Sequence, residues 1–264
     1  MYRGLGVAFA PMTAEVRERR LLVEEVLVVL SLSLLASAVF AVLDLLSGPL
    51  KGGYVASVDQ STQVARQVAS FVFGLAPAWL VVYLVRRSGE GVGAIGLDLR
   101  EPRRDALLGL ALFAVVAVGG LAIYLGSVAL GVNRFVVPVP PLGHWWTVPV
   151  LILNGIEAGL LEEVIAVYLI TRLRQLRLTP PAAVGLSAIL RGSYHLYQGW
   201  GGFAGNLAMG VLFGLVFVRT RRAWPLVIAH ALLDTAAGVG FILFRRHLPG
   251  FAGPGIWREL WPGS

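Results

Sequence analysis

Long apolar runs separated by short polar connections make up almost the whole chain. Each run has about 17 to 26 residues, and a helix of that length crosses a hydrocarbon core of roughly 30 Å. We predict spans at residues 21–46, 66–85, 105–130, 147–171, 182–199, 203–219 and 223–244. The pattern therefore predicts an all-α fold, a polytopic transmembrane helix bundle of about seven to eight spans.

Basic residues cluster in alternate connections between these runs. The clusters lie at residues 3–20, 86–104, 172–177 and 219–222, and the other side of the membrane receives Lys51, Arg66 and Arg134. Cytoplasmic loops are rich in Arg and Lys, so we expect a cytoplasmic amino terminus. Arg245 and Arg246 do not fit seven spans, which indicates either an eighth span or a tail that lies along the interface.

Four segments follow from this pattern. Residues 1–20 form a basic arm, 21–146 an N-terminal group of transmembrane helices, 147–244 a core that carries nearly all intramembrane polar residues, and 245–264 a C-terminal tail. The polar residues of the core are the candidates for chemistry.

Composition agrees with an integral membrane protein. Apolar residues make up 57% of the chain, charged residues 14%, and the mean hydropathy is +0.76. The net charge is +7, and the basic residues lie between the apolar runs. This distribution favours contact with anionic headgroups of the lipid bilayer and argues against binding of nucleic acid. The absence of cysteine excludes disulfides, thiolate metal sites and a cysteine nucleophile. A single lysine, Lys51, among 22 basic residues is typical of a GC-rich genome, and we expect a bacterial cell-membrane protein.

Polar and ionisable residues inside the predicted spans are costly to insert and usually face a bundle interior or a water-filled cavity. They are Glu157, Glu162 and Glu163, then Arg191, Tyr194 and His195, then Asn206, and finally His230 and Asp234. Arg191 and His195 are four residues apart, as are His230 and Asp234, so each pair shares a helix face. Glu162 and Glu163, in "GLLEEVIAVYLI", lie about 100° apart, so one can face a reacting centre while the other braces a neighbouring helix.

This set of residues suits the activation of water. A carboxylate in an apolar pocket can act as a general base, and imidazoles can donate to an oxyanion or bind a divalent metal. Glu162, His195, His230 and Asp234 are a plausible zinc set, although the chain has no H-E-x-x-H motif. Each residue also has a structural interpretation as a packing hydrogen bonder, and we interpret Glu157 as structural. For Asn206 we expect a hydrogen bond across helices, on a close-packing face continued by Gly210 and Gly214.

Three stretches of the core resemble the CPBP family of intramembrane proteases. They are "EEVIAVYL", "RGSYHLYQG" and "HALLD", beside the family patterns E-E-x-x-x-R, F-x-x-x-H and H-x-x-x-N or H-x-x-x-D. The family includes type II CAAX prenyl endopeptidases and bacteriocin-processing or self-immunity proteins. The resemblance implies that Glu162 activates water with help from His195, that Glu163 braces, and that His230 and Asp234 stabilise an oxyanion or hold a metal. It also implies a site that opens toward the cytoplasmic leaflet, and leaves zinc and a metal-independent glutamate mechanism as alternatives.

Two positions depart from the family patterns. Val167 stands where the motif has its arginine, and Gly192 stands where we expect the aromatic residue, with Tyr194 and Arg191 nearby. Loss of the arginine favours a degenerate member without activity. We hypothesise that Arg191 replaces it by pairing with Glu163.

Three functions remain open from the sequence, and we favour the first. The first is an intramembrane endopeptidase that cleaves a membrane-associated or lipid-linked peptide. The second is a non-catalytic membrane scaffold or immunity protein that binds a partner. The third is a proton-coupled transporter, which is less favoured because the two halves show no inverted repeat.

Overall fold

The computed structural model describes residues 60–132 and 145–244, together with a few single positions between 16 and 39. Most of the span predicted at 21–46, the end of the connection before residue 145 and the tail predicted at 245–264 lie outside the described residues. Within the described part all regular structure is helical, with seven α-helices and two 3-10 turns and no strand. The α-helices are α1 (Gln60–Gly74), α2 (Ala76–Arg87), α3 (Pro102–Ala129), α4 (Thr147–Gln175), α5 (Pro180–Tyr194), α6 (Trp200–Thr220) and α7 (Trp224–Phe244).

The predicted membrane character is confirmed for part of the described residues. Four stretches are long and apolar enough to cross a membrane: Val64–Arg87, Pro102–Ser127, Trp200–Thr220 and Trp224–Leu243. Helix α4 has sufficient length but carries three glutamates near its middle, whereas α5 has 15 residues and extends roughly 22 Å. The described residues therefore show an all-helical membrane protein and do not establish seven or eight spans.

The run predicted as one span at 182–199 is broken. Helix α5 ends at Tyr194, and a 3-10 turn over Leu196–Gln198 leads to Gly199, whose φ of 106° lies in the region that glycine adopts readily. His195 consequently lies just beyond the helix and not on its face, because the chain has already turned there.

Glycines permit the closest helix contacts around the site. On α4, a Cβ at Gly159 would lie 2.7 Å from the Val227 carbonyl oxygen of α7. On α6, Cβ atoms at Gly210 and Gly214 would crowd Ala188 and Val184 of α5, which confirms the predicted close-packing face. The pairs α4 with α7 and α5 with α6 are therefore fixed at short distances.

The arginine-rich ends of several helices meet at one end of the bundle. Arg172, at the end of α4, contacts Glu90 after α2 at 2.6 Å. Arg222, in the turn between α6 and α7, contacts Asp98 at 2.5 Å and donates to Asp105 at the start of α3. We call this end, defined by Arg172 and Arg222, the arginine-rich end.

The apolar core lies between the arginine-rich end and the middle of the bundle. In α4 and α6 the core residues follow Glu163 and Asn206 in the sequence, and in α5 and α7 they precede Arg191 and His230. All of them therefore lie on one side of Glu163. They include Val164, Val167, Ile170, Ala183, Val184, Phe213, Phe217, Leu226 and Ala229. The candidate site is thus at the inner boundary of a tightly packed apolar half.

Candidate active site

A buried ion pair joins α4 to α5 at the centre of the bundle. Glu163 has no exposed surface and Arg191 is 4% exposed. Arg191 Nη1 donates to Glu163 Oε1 at 2.6 Å, and His230 Nδ1 lies 2.8 Å from the same oxygen. An ionised carboxylate can only accept hydrogen bonds, so Nδ1 of His230 is the donor. Three helices are therefore connected through one carboxylate.

Glu162 has a different environment from its neighbour. Its side chain is 22% exposed, and its Oε2 accepts a hydrogen bond from the Tyr194 hydroxyl at 2.7 Å. Arg191 Nη2 lies 3.3 Å from the same Oε2. The guanidinium of Arg191 thus contacts both carboxylates, with Glu163 enclosed behind it and Glu162 partly open.

Both histidines use Nδ1 for a hydrogen bond within the protein. Nδ1 of His195 donates to the Arg191 carbonyl oxygen at 3.0 Å, because a carbonyl can only accept, and Nε2 of the neutral ring then carries a lone pair. Nε2 of His230 lies 3.6 Å from Asp234 Oδ2, and the Asp234 side chain is 47% exposed. Asp234 lies within electrostatic range of His195 and of Glu162. Glu163, His230 and Asp234 therefore form a chain of contacts, while Glu162 and Glu163 are the two of the five candidate residues that line the described cavity wall.

A cavity of about 40 Å³ adjoins both glutamates. That volume is sufficient for water, and Glu163 Oε2 and Arg191 Nε, both buried, have no hydrogen-bond partner among the described residues. The rest of the wall is mainly apolar and includes Ile165, Ala166, Val167, Leu169 and Leu190. The cavity is thus a mainly apolar groove formed by α4, α5 and α6, with two carboxylates in its wall.

The cavity wall also includes Ser187, which the sequence analysis did not select. Ser187 lies four residues before Arg191 on α5, so helical spacing was the signal that could have identified it.

The structure confirms the predicted pairing of Arg191 with Glu163, in which Arg191 replaces the motif arginine that is absent at Val167. Arg191 contacts Glu163 directly, while Val167 is fully buried in the same cavity wall. Counted back from His195, the spacing of F-x-x-x-H falls on Arg191 itself, so placing the aromatic at Gly192 was wrong by one residue. The arginine therefore occupies the position of the motif's aromatic, and an aromatic from α6, Phe203, packs against Gly192.

Two other predicted contacts have definite outcomes. Asn206 donates to the Gly202 carbonyl oxygen of its own helix at 3.0 Å, so the predicted bond across helices is wrong. The reason is that an asparagine side chain easily reaches the carbonyl one turn earlier. Glu157 lies away from the cavity and packs against Gly74 of α1, in agreement with its structural interpretation.

The arrangement of Glu162, His195, His230 and Asp234 does not fit a metal site. Among the described residues, no three His, Asp or Glu side chains come together at a spacing that could hold a metal ion. The Arg191 guanidinium is 3.1 Å from His230 Nδ1 and 3.3 Å from Glu162, so a positive charge already lies among the donors. We therefore route no chemical step through zinc.

One family comparison agrees with this geometry. Residues 144–236 match the family model described as type II CAAX prenyl endopeptidase Rce1-like, a stretch that covers α4, α5, α6 and the part of α7 that holds His230 and Asp234. No curated protein and no solved structure matches the chain. The match over residues 144–236 confirms the resemblance to CPBP proteases for this part of the chain.

Proposed function

We propose that this protein is an intramembrane endopeptidase that hydrolyses a peptide bond in a membrane-associated or lipid-linked peptide. The observation that carries the proposal is the difference between two adjacent carboxylates. Glu163 is fully buried and ion-paired, whereas Glu162 is partly exposed, lines the cavity and lies within electrostatic range of Asp234. Because Glu163 makes the buried ion pair, Glu162 can exchange a proton with water.

Glu162 acts as the general base in this proposal. It takes a proton from a water molecule, and the water oxygen attacks the scissile carbonyl carbon. The lone pair of His195 Nε2 assists by accepting a hydrogen bond from the same water. When the tetrahedral intermediate collapses, the C–N bond breaks and the proton on Glu162 passes to the leaving amine, so the atoms and charges balance.

His230 and Asp234 are assigned to the oxyanion, Asp234 in its protonated form, because an ionised carboxylate can only accept hydrogen bonds. With Nδ1 of His230 donated to Glu163, its Nε2 faces Asp234, and the imidazolium form donates from Nε2 to an oxygen that enters between them. The gap of 3.6 Å leaves room for adjustment on substrate binding. Glu163 and Arg191 fix the ring of His230 and the helix that carries Glu162.

The groove beside Glu162 supports an apolar substrate segment. Ile165, Leu169 and Leu190 line it, and Ile165 and Leu190 are also exposed on the outside of the bundle. An apolar residue or lipid group next to the scissile bond can therefore leave the bilayer and remain in apolar surroundings.

The test compares purified wild type with Glu162→Gln and His195→Ala. Peptides with and without an S-prenyl cysteine are incubated in proteoliposomes, and products are identified by mass spectrometry. We expect wild-type cleavage and a loss of at least about 100-fold in Glu162→Gln. Glu157→Gln is the matched control, because it removes an intramembrane carboxylate from the same helix away from the cavity. Equal cleavage by wild type and Glu162→Gln would contradict the proposal.

The scaffold alternative depended mainly on the valine at position 167. That argument weakens because Arg191 supplies a guanidinium to the same carboxylates. If wild type cleaves none of the peptides while Glu162→Gln keeps its biological activity, the scaffold is the better function.

A further inference from the structure

Tyr194 contacts both groups that handle the water in the proposed reaction. Its hydroxyl donates to Glu162 Oε2 at 2.7 Å. Its ring lies against the imidazole of His195, with ring centroids 4.6 Å apart and planes inclined by 39°. In the resemblance to CPBP proteases, no motif position corresponds to this tyrosine.

We propose that Tyr194 is a positioning residue for hydrolysis, which holds the Glu162 carboxylate and the His195 ring in one arrangement. This inference rests on the proposed function, since positioning has meaning only if Glu162 and His195 act on water. Tyr194 does not touch the reacting atoms in this proposal. It acts through the two residues that do.

The contacts of Glu162 give the physical reason. Tyr194 and Arg191 both approach Oε2, at 2.7 and 3.3 Å. Two donors on one oxygen restrict rotation of the carboxylate, which leaves Oε1 as the oxygen that can take a proton from water. Small displacements of a reacting group are costly, and an error of about 1 Å can reduce a rate by roughly 100-fold.

The position of Tyr194 explains how it reaches both partners. It is the last residue of α5, immediately before the turn that carries His195, and 47% of it is exposed. A side chain at a helix end can extend beyond its own helix, so the hydroxyl reaches α4 while the ring remains beside its neighbour. The rigid ring connects the two contacts.

A simpler explanation is that Tyr194 is an aromatic anchor at a membrane interface, where its ring alone is needed. The two explanations differ in the role of one oxygen atom. Substitution of Tyr194 by phenylalanine leaves an interface anchor intact. The same substitution removes the hydrogen bond to Glu162 on which a positioning role depends.

The experiment is the kinetic comparison of wild type with Tyr194→Phe on a peptide that the wild type cleaves. We expect kcat to fall by roughly 10- to 100-fold with KM within about twofold of wild type, because orientation and not binding is lost. Tyr168→Phe is the control, because the Tyr168 ring contacts Arg172 at the arginine-rich end, 5.0 Å from its guanidinium carbon. Its kcat is expected to equal that of wild type.

Folding is checked by size-exclusion chromatography and thermal melting of every variant. If Tyr194→Phe is not monodisperse in detergent, the same comparison is made in proteoliposomes, because phenylalanine keeps the ring and removes only the hydroxyl. Wild-type kcat in the variant overturns the positioning role alone. Absence of cleavage by the wild type overturns the proposed function and this inference together, so the two failures are distinguishable.

Discussion

Removal of the Arg191 guanidinium is the sharpest perturbation of the site. Arg191→Met keeps a long apolar side chain but deletes the contacts with Glu163 at 2.6 Å and Glu162 at 3.3 Å. Glu163 then remains as a buried carboxylate with only His230 near it. We expect a large loss of stability, because an ionised group enclosed in the bundle loses its charged partner.

The magnitude follows from burial. Removing one partner of a buried ion pair costs about 3–5 kcal/mol, because the desolvation of the other charge is no longer offset. Glu163→Gln retains the shape and leaves Arg191 with Glu162, so we expect the smaller loss of about 1.5–3 kcal/mol for one charge-assisted hydrogen bond. The double variant leaves no isolated charge at position 163. We therefore expect it to be more stable than the sum of the single losses by at least about 2 kcal/mol.

The assay is equilibrium unfolding in detergent of wild type, both single variants and the double variant. Arg172→Met is the matched control, because Arg172 and Glu90 are also 2.6 Å apart but are 24% and 29% exposed. A partly exposed pair contributes about 0–1 kcal/mol, so this variant is expected to lose far less. The reasoning is refuted if the Arg191 and Glu163 losses add within about 0.5 kcal/mol, or if Arg172→Met is as damaging as Arg191→Met.

The other predictions concern the substituted motif, helix contact, pH and metal. Val167→Arg combined with Arg191→Met restores the family spacing E-E-x-x-x-R within the same cavity wall, and its melting temperature is expected to exceed that of Arg191→Met alone. Gly159→Leu is expected to prevent a monodisperse preparation because its Cβ meets the backbone of α7, whereas Gly185→Leu, with open space at its Cβ, is tolerated. The hydrogen bond from Arg222 lowers the pKa of Asp98 below its ordinary 3.8, so its stabilisation is fully present above that pH and is lost as the pH falls through the lowered pKa; the melting difference between wild type and Asp98→Asn is expected at about pH 7 and to shrink as the pH falls below 3.8. Dialysis against a chelator is expected to leave cleavage unchanged, and a loss that added zinc restores would contradict the donor geometry.

Helix positions could be predicted well from the sequence because long apolar runs have few other solutions in a membrane. The predicted span at 105–130 is helix Pro102–Ala129, and that at 203–219 is helix Trp200–Thr220. The end of α5 could not be predicted in the same way. The stretch between Gly192 and Gly199, SYHLYQ, contains neither proline nor glycine, so the sequence contains no helix-breaking signal at Tyr194.

Contacts within the site were only partly predictable. The pairing of Arg191 with Glu163 followed from charge, because a buried carboxylate without its motif arginine needs another cation. The contact of His230 with Glu163 did not follow, since the sequence associated His230 with Asp234 on its own helix. Whether a side chain faces its own helix or a neighbour depends on helix rotation, which no spacing within one helix can determine.

The rotation of α4 also explains how adjacent glutamates can have different functions. A step of one residue turns the side chain by about 100°, which directs Glu163 to the buried guanidinium and Glu162 to the cavity and Tyr194. A single glutamate could not satisfy both requirements, because a carboxylate that binds Arg191 and His230 firmly has little freedom to exchange a proton with water. Conversely, a carboxylate open to water is a poor connection between helices. Glu163 therefore has the structural role and Glu162 the chemical role, while Arg191 contacts both carboxylates and keeps them in a fixed relation.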